Sequence, residues 1–560
     1  MKLLNLIYNE LLKQFKKVST NIIIALILIS AIVLPIVMKN IQPNNYNKNR
    51  VESAQFMIQD LQSQIDNLQN DKSQKAAIQR KYYSIDKECQ QLILDNEISF
   101  DDWRESEVKE LEYELNKLAA IEFVLEGYSK DVVLENLQNE DSKKIEEYYD
   151  LTLEKKKEIE SAYIAKTNEL RNVINNNDYN KHTELEIQRK EETIALRQKT
   201  ISEYEKLYSK NPTDDEGKAK LEELKKEKEY AEEDIPKFEQ DLAILKFRHN
   251  NNIDYDKNNW KNNSIVEIES ELWDLRMKML DEKAFNVDFS RNTLANSYDE
   301  YVENYKKANT LRVEKIKELW YGLENNIPDL GAVKDARSIV DSTYEIYIIF
   351  AVVMIIIIGG GIVAGEYSTG SIRLLMIRPV ARWKVLLAKL LAVLIVGFGI
   401  VVLGVTILII SSGAVFGFET LKVPVLQTIN GTLVQIDYIK YMLPQLLLST
   451  ASLLFIGSLV FMISTLARNM ALAVAIGMLL YIGAAPLSEI LISLKQIWLI
   501  DTLIPYINGS YLKLVPNLLT SLRESGMALN YTLGAKQLIV ASIIMLIITF
   551  VIFMKKDIKN

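Results

Sequence analysis

Six long apolar runs divide the chain. The first covers residues 21–38 and carries no charged side chain, and five more lie between residues 344 and 554. A helix needs roughly 20 apolar residues to cross the hydrocarbon core of a bilayer. The runs therefore predict six membrane-spanning helices, with the ranges 21–38, 344–364, 386–410, 441–466, 470–491 and 538–554.

The stretch between the first two runs, residues 39–340, has the opposite pattern. It is strongly charged and contains only four glycines and four prolines, so long helices are expected. Apolar positions recur with heptad spacing, which is typical of coiled coils, within 51–68, 187–208 and 265–279. Clusters of Asn, Asp and Pro predict helix breaks near 175–178, 211–215 and 250–252. The predicted fold class is an all-α membrane protein with a helical, partly coiled-coil insert.

The N-terminal segment, residues 1–20, precedes the first run. Leu4, Ile7, Leu11 and Phe15 recur at spacings of three and four, which predicts an amphipathic helix in the membrane interface. The alternative is the ordinary basic start of a signal sequence. Because no small-x-small cleavage site follows residues 21–38, we expect an uncleaved anchor.

Charge is distributed unevenly between the two parts of the chain. Residues 39–340 carry 64 acidic and 47 basic side chains, and the remainder carries 10 and 19. Lys and Arg gather in the N-terminal segment, in the loop 365–384, at Arg468 and in the tail after residue 554. With six spans all four lie on one side, which the positive-inside rule assigns to the cytoplasm. Both termini are then cytoplasmic and residues 39–340 extracellular. The insert has no cluster of basic residues of the kind that binds nucleic acid, so we expect no nucleic-acid partner.

Catalytic and metal-binding patterns are missing from the sequence. The two histidines, His182 and His249, have no Cys or His at ligand spacing, so we expect exposed side chains and no metal site. The nearest match to a phosphate-binding loop, residues 365–371, has Ser371 where the chemistry requires lysine. We therefore expect no catalytic residue and no cofactor bound by this chain.

The loop 365–384 is the most distinctive short segment. Ser368 can cap a short helix that Pro379 ends. Such a helix has an apolar face and basic ends, so it could fit a groove on a cytoplasmic partner. The alternative reading of its arginines is simple anchoring at the inner membrane surface.

This loop resembles that of the type-2 ABC exporter permeases. The residues that carry the resemblance are Glu366, Tyr367, Gly370, Ile372, Leu375, Met376, Pro379, Val380 and Arg382. The resemblance covers residues 1–38 and 341–560 and implies a permease domain at 341–560 whose loop acts as a coupling helix. The residues it implicates in coupling are Glu366, Tyr367, Thr369, Gly370, Ile372, Arg373, Leu375, Met376, Arg378, Pro379 and Arg382.

The same resemblance implies the partners and the location. ATP and Mg²⁺ would be bound by a separate dimer of cytoplasmic ABC ATPase subunits, and a second permease, identical or different, would complete the pore. Related permeases with a large outward domain after the first span occur in Gram-positive bacteria. We therefore expect a multi-pass protein of the plasma membrane of such an organism.

Two acids, Glu345 and Glu489, lie near the outer ends of the second and fifth spans. An acid within a span is a candidate for transport, although both could reach interfacial water. The preferred function is an ATP-driven exporter permease, with antimicrobial peptide, lipid or ion as candidate substrates. The alternative is a membrane-anchored helical stalk that acts as a receptor, sensor or secretion scaffold. An anchor needs only one span, so six favour transport.

Overall fold

The computed structural model describes residues 2–41, 47–137, 142–289, 293–372 and 380–555. Six helical segments within these ranges are long and apolar enough to cross a membrane, which confirms the predicted spans. Their bounds are Thr20–Asn40, Ala336–Ser368, Arg382–Phe416, Tyr438–Leu466, Met470–Ser493 and Tyr531–Lys555.

Most of the described residues are α-helical, and the β-structure among them is one two-stranded hairpin. Before the second span they are α1 (Lys2–Phe15), α2 (Val18–Asn40), α3 (Asn47–Asn67), α4 (Gln74–Asp95), α5 (Arg104–Leu125), α6 (Lys130–Glu135), α7 (Ser142–Asp150), α8 (Leu153–Asn175), α9 (Tyr179–Lys210), α10 (Asp215–Asn250), α11 (Trp260–Arg276), α12 (Glu282–Ala284) and α13 (Tyr298–Asn325). From the second span onward they are α14 (Ala336–Ile362), α15 (Ala364–Ser368), α16 (Arg382–Phe416), β1 (Val425–Ile429), β2 (Thr432–Ile436), α17 (Tyr438–Ser449), α18 (Ala451–Leu466), α19 (Met470–Ser493), α20 (Gly509–Leu514), α21 (Asn517–Glu524) and α22 (Tyr531–Lys555).

The chain divides into two compact units. The first, which we call the membrane unit, comprises Met1–Ile41 and Asn263–Asn560, and the second, the insert unit, comprises Gln42–Asn262. The extracellular placement of residues 39–340 and their treatment as one domain stay predictions. Each unit has its own apolar core.

The insert unit is helical throughout its described part. Its longest helices, α9 and α10, form an antiparallel pair, because ion pairs join Lys190 to Asp241 and Arg197 to Asp234 in opposite directions along the chain. The heptad positions Ile187, Ile194 and Ile201 are buried or half-buried in α9. All three predicted breaks in this region are observed, because helices end at Asn175, Lys210 and Asn250.

Local chemistry explains these breaks. Asp178 and Asp214 cap the next helices by accepting hydrogen bonds from backbone N–H groups of the first turn. Asn211 ends α9 in the left-handed conformation, with φ of 46°, which asparagine tolerates better than most residues.

Helix α14 lies at the centre of the membrane unit and contacts α16, α18, α19 and α20. Glycines permit its close approach to its neighbours: a Cβ atom at Gly360 would lie 2.6 Å from Val474 Cγ2 on α19. Gly361 faces Met470 in the same way. The triple glycine 359–361 therefore serves close helix packing, which is one of the two roles that its position in an apolar run predicts.

The β-hairpin follows the third span and was not predicted from the sequence. Asn430 and Gly431 form its two-residue turn with φ of 51° and 78°, the left-handed pair that suits the twist of a hairpin. The buried Arg337 at the start of α14 donates hydrogen bonds to the carbonyls of Val423 and Pro424 just before β1. We call this end of the membrane unit the hairpin end and the opposite end the α1 end.

Candidate functional site

The second span is interrupted just before the predicted coupling loop, residues 365–384. The hydroxyl of Ser464 on α18 accepts a hydrogen bond from the backbone N–H of Ala364 at 3.1 Å and donates one to the carbonyl of Gly360 at 2.8 Å. In a regular α-helix these two backbone groups would bond to each other. The inserted side chain therefore separates α14 from the short helix α15, which carries the predicted coupling residues Glu366 and Tyr367.

Four charged side chains meet at the α1 end, and we call Glu10, Lys13, Glu366 and Lys389 the charge cluster. Lys389 Nζ lies 2.7 Å from Glu366 Oε1 and 3.1 Å from Glu10 Oε2. Lys13 Nζ lies 2.9 Å from Glu10 Oε1 and 3.1 Å from Glu366 Oε1. The cluster is electrically balanced and links α1 to α15 and α16, which lie more than 300 positions later in the sequence.

The depth of the charge cluster makes it sensitive to substitution. Lys389 is 2% exposed and Glu10 is 7% exposed, so neither charge can turn to water. Glu366 Oε2 is buried and has no hydrogen-bond partner within the described chain. Lys13 lies nearer the surface; burial acts against its charge, but the hydrogen bonds and charges of Glu10 and Glu366 outweigh it and raise the pKa of Lys13.

Helix α1 presents two faces, only one of which the sequence revealed. Leu4, Tyr8 and Phe15 are exposed, as expected for residues that meet lipid, whereas Ile7, Glu10 and Gln14 are buried. Helix α1 packs on α16. Part of the predicted apolar face is therefore exposed and part is buried in the protein, and the polar face contains the buried acid Glu10. Glu10 and Lys389 were missed, although Lys389 is the only charge in the apolar run 386–410.

Tyr367, in the predicted coupling loop, contacts a residue of a different loop. The guanidinium of Arg468, in the turn between the fourth and fifth spans, lies 4.4 Å from the centre of the Tyr367 ring. Arg468 adopts φ of 56° in this tight turn. This cation–π contact draws the loops after the second and fourth spans together at the α1 end.

The other predicted coupling residues are placed differently. Thr369 donates to the carbonyl of Gly365 at 2.9 Å, Gly370 ends the turn with φ of 69°, and Ile372 is buried. Arg382 is exposed at the first turn of α16. Five of the predicted residues lie outside the described part of the chain: Arg373, Leu375, Met376, Arg378 and Pro379.

Glu345, the first candidate transport residue, is buried at the hairpin end. Lys513 Nζ lies 2.7 Å from Glu345 Oε1, and the hydroxyl of Ser449 donates to the same oxygen at 2.7 Å. Glu489, the second candidate, is half-buried on α19, and its side chain has no partner among the described residues. The structure thus separates the two acids, and only Glu345 belongs to a built polar site.

The insert unit holds a further buried polar group, and it corrects an expectation. His182 is not exposed: it is 4% exposed, and its Nδ1 lies 2.6 Å from Glu107 Oε1. Arg189 also binds both oxygens of Glu107, at 3.0 and 2.8 Å. Burial alone would raise the pKa of Glu107, but hydrogen bonds from His182 and Arg189 lower it to about 2.

Glu186 joins Glu107 and His182 in an arrangement that has the spacing of a metal site, since their ligand atoms lie within 4.8 Å of one another. Arg189, however, pairs with both Glu107 and Glu186. A guanidinium in this position competes with a cation for the same oxygens, so the group reads as a structural ion-pair cluster.

Comparison with known proteins places these features in a family. A family model described as "ABC-2 family transporter protein" matches residues 4–558. The uncharacterized protein YhcI of Bacillus subtilis (strain 168) is 31% identical over 253 residues, which cover 43% of this chain and 74% of the relative. No solved structure matches the chain.

Proposed function

The chain belongs to the ABC-2 transporter family, and from this premise we propose that it is the permease subunit of an exporter driven by a separate ATPase. The family match and the six apolar helices directly support a multi-pass membrane permease. The driving reaction, its direction and its substrate are the proposed part. The observation that carries the proposal is the charge cluster, because it joins Glu366 of the predicted coupling loop to two other elements of the membrane unit.

We infer that the α1 end faces the cytoplasm. In a six-span bundle the N-terminal segment, the loops after the second and fourth spans and the C-terminal tail share one end. Basic residues gather at these four places: Lys13, Lys16, Lys17, Arg382, Lys384, Arg468 and Lys555. The positive-inside rule then places the insert unit outside the cell.

The proposed coupling runs through the loop 365–384, which would dock on the ATPase. A displacement of this loop acts first on α15, which the charge cluster holds to α1 and to the start of α16. Buried ion pairs fix geometry well, because separating them leaves a charge without a partner. The three elements therefore move as one block, and the interruption at Ala364 lets this block turn against the rest of α14.

Partners follow from the same scheme. Two ATPase subunits would bind ATP and Mg²⁺ below a pair of permeases, and ATP hydrolysis would occur on those subunits. Antimicrobial peptide, lipid and ion all stay open as substrates. The alternative, a receptor or scaffold anchored in the membrane, gains no support from the charge cluster, because an anchor has no need of a buried link between loops on one side.

Affinity purification tests the coupling proposal. The tagged full-length chain, purified in mild detergent from its own host, should retain a P-loop ATPase that mass spectrometry identifies. Glu366→Gln should lower the retained ATPase, or its stimulation by the permease, by roughly tenfold, since this corresponds to about 1.4 kcal/mol of coupling. Glu419→Gln is the matched control, because Glu419 is exposed at the hairpin end. Equal retention and equal ATPase activity for both variants would contradict the proposal.

Cysteine labelling tests the orientation independently. The sole native thiol, Cys89, is buried, so it can be replaced by alanine without changing surface reactivity. Single cysteines at Lys206 in the insert unit and at Lys384 in the coupling loop then report the two sides. A membrane-impermeant maleimide should label intact cells at residue 206 only. Labelling of both positions from outside would overturn the inferred topology.

A further inference from the structure

The side chain of Lys513 occupies a cage at the hairpin end. Its ammonium donates to Glu345 Oε1 at 2.7 Å, to the Tyr344 hydroxyl at 2.9 Å and to Ser449 Oγ at 3.2 Å. It also lies 4.8 Å from the centre of the Tyr531 ring and 5.5 Å from that of Tyr344. A primary ammonium has three N–H donors, so each finds an acceptor, and the Tyr531 ring lies close to the same charge.

The walls of this cage offer more than Lys513 uses. Glu345 is 1% exposed, and its second oxygen, Oε2, has no hydrogen-bond partner within the described residues. The Ser510 and Tyr531 hydroxyls are likewise buried and unpartnered in the described chain. Both line a cavity of about 10 Å³ that also touches Ser449. Buried polar groups rarely stay unpaired in proteins, so their concentration here indicates a site with spare binding capacity.

The acceptors and the lysine belong to different parts of the unit. Glu345 and Tyr344 lie on α14, Ser449 ends α17 and Tyr531 begins α22, so three spans build the walls. Lys513 lies on α20, a six-residue helix in the connection between the fifth and sixth spans. Its side chain is 22% exposed, against 2% for the Glu345 side chain. The occupant is therefore at the mouth of the site and its acid partner at the bottom.

We propose that this cage is a binding site for primary ammonium groups, in which Lys513 is an internal occupant that an external ligand can replace. The ligand class is a molecule carrying R–NH₃⁺, whether a free amine or the amino group of a larger molecule. Replacement releases the only ion pair that holds α20 to α14 among the described residues, so binding also loosens the segment 509–514. The proposal goes beyond ATP-driven export and does not depend on it.

Chemical rescue tests the site. Lys513→Ala in the full-length chain should lower the melting temperature by roughly 5 °C, because it strands the buried Glu345 charge. Propylammonium should restore most of the loss with a midpoint of roughly 1–100 mM, whereas tetramethylammonium, which carries the same charge without N–H donors, should not. The matched control is Lys440→Ala, since Lys440 is exposed at the same end and should show neither effect.

The double variant Lys513→Ala/Glu345→Gln separates a specific site from a general salt effect. Rescue by propylammonium should disappear in it, because the carboxylate is gone. Rescue that persists, or that tetramethylammonium reproduces, would overturn the proposal. If Lys513→Ala does not accumulate, hydrogen exchange of wild-type residues 509–514 replaces it. Propylammonium should then speed exchange there selectively, and identical exchange in both ammonium salts contradicts the site.

Discussion

The charge cluster predicts a strong and testable energetic coupling between distant residues. Lys389→Met keeps the length of the side chain and removes its charge. It leaves the carboxylates of the buried Glu10 and the half-buried Glu366 with only Lys13, whose side chain is 51% exposed, to balance them. Breaking a buried pair by removing one partner costs about 3–5 kcal/mol, so the single variant should be severely destabilised.

A compensating change reveals whether the charges act as a unit. Glu10→Gln alone strands Lys389 in part, but Lys389→Met/Glu10→Gln leaves a balanced pair of Glu366 and Lys13 that lie 3.1 Å apart. The double variant should therefore recover more than half of the loss, which corresponds to an interaction energy of about 2–3 kcal/mol.

Thermal unfolding of the purified full-length chain in detergent, followed for the four members of this cycle, measures the effect. For a chain of this size the single variant should melt roughly 5 °C lower than wild type. Lys384→Met, one turn earlier on the same helix, is the control, because Lys384 takes no part in the charge cluster. If the two losses simply add in the double variant, the cluster is not a coupled unit and the block of α1, α15 and α16 has no electrostatic basis.

Three further outcomes follow from single contacts. The pKa of Glu107 lies at about 2, against an ordinary value of 4.5. Ionised Glu107 therefore adds about 3 kcal/mol to the free energy of unfolding above pH 4.5, and this contribution is lost as the pH falls toward 2. Glu107→Gln should abolish this pH dependence in calorimetric scans at pH 7 and pH 3. Ser464→Ala removes the hydroxyl inserted into α14, and should cost about 1–3 kcal/mol in melting scans while lowering ATPase stimulation. Gly360→Ala should cost about 1–3 kcal/mol by collision with Val474, and Val474→Ala in the same chain should relieve most of it; an unrelieved loss would contradict the packing.

Sequence patterns predicted the elements well because those elements depend on local chemistry. The six spans follow from apolar length, and the breaks in the insert unit follow from capping residues such as Asp178 and Asp214. The hairpin could also have been found, since Asn430-Gly431 is a strong two-residue turn signal between short apolar runs.

Pairings between distant residues were not predictable in this way. Glu10 and Lys389 are 379 positions apart, and His182 and Glu107 are 75 apart, so no spacing rule connects them. His182 stands in a polar helical stretch, where exposure is the ordinary expectation, and only the folded insert unit brings it against a buried carboxylate. For Lys389 and Glu345 a signal did exist, because each is an ionisable residue within an apolar run.

These two residues show a common rule in the membrane unit. Each of these two residues pairs with a charge outside its own span: Lys389 with Glu10 of α1, and Glu345 with Lys513 of α20. Buried ion pairs contribute little net stability compared with well-packed apolar side chains, because desolvation offsets their attraction. Stability alone would therefore favour apolar residues at all four positions. What an ion pair adds is a contact that holds one arrangement and that a competing charge or a mechanical displacement can separate, and the two pairs lie at opposite ends of the membrane unit.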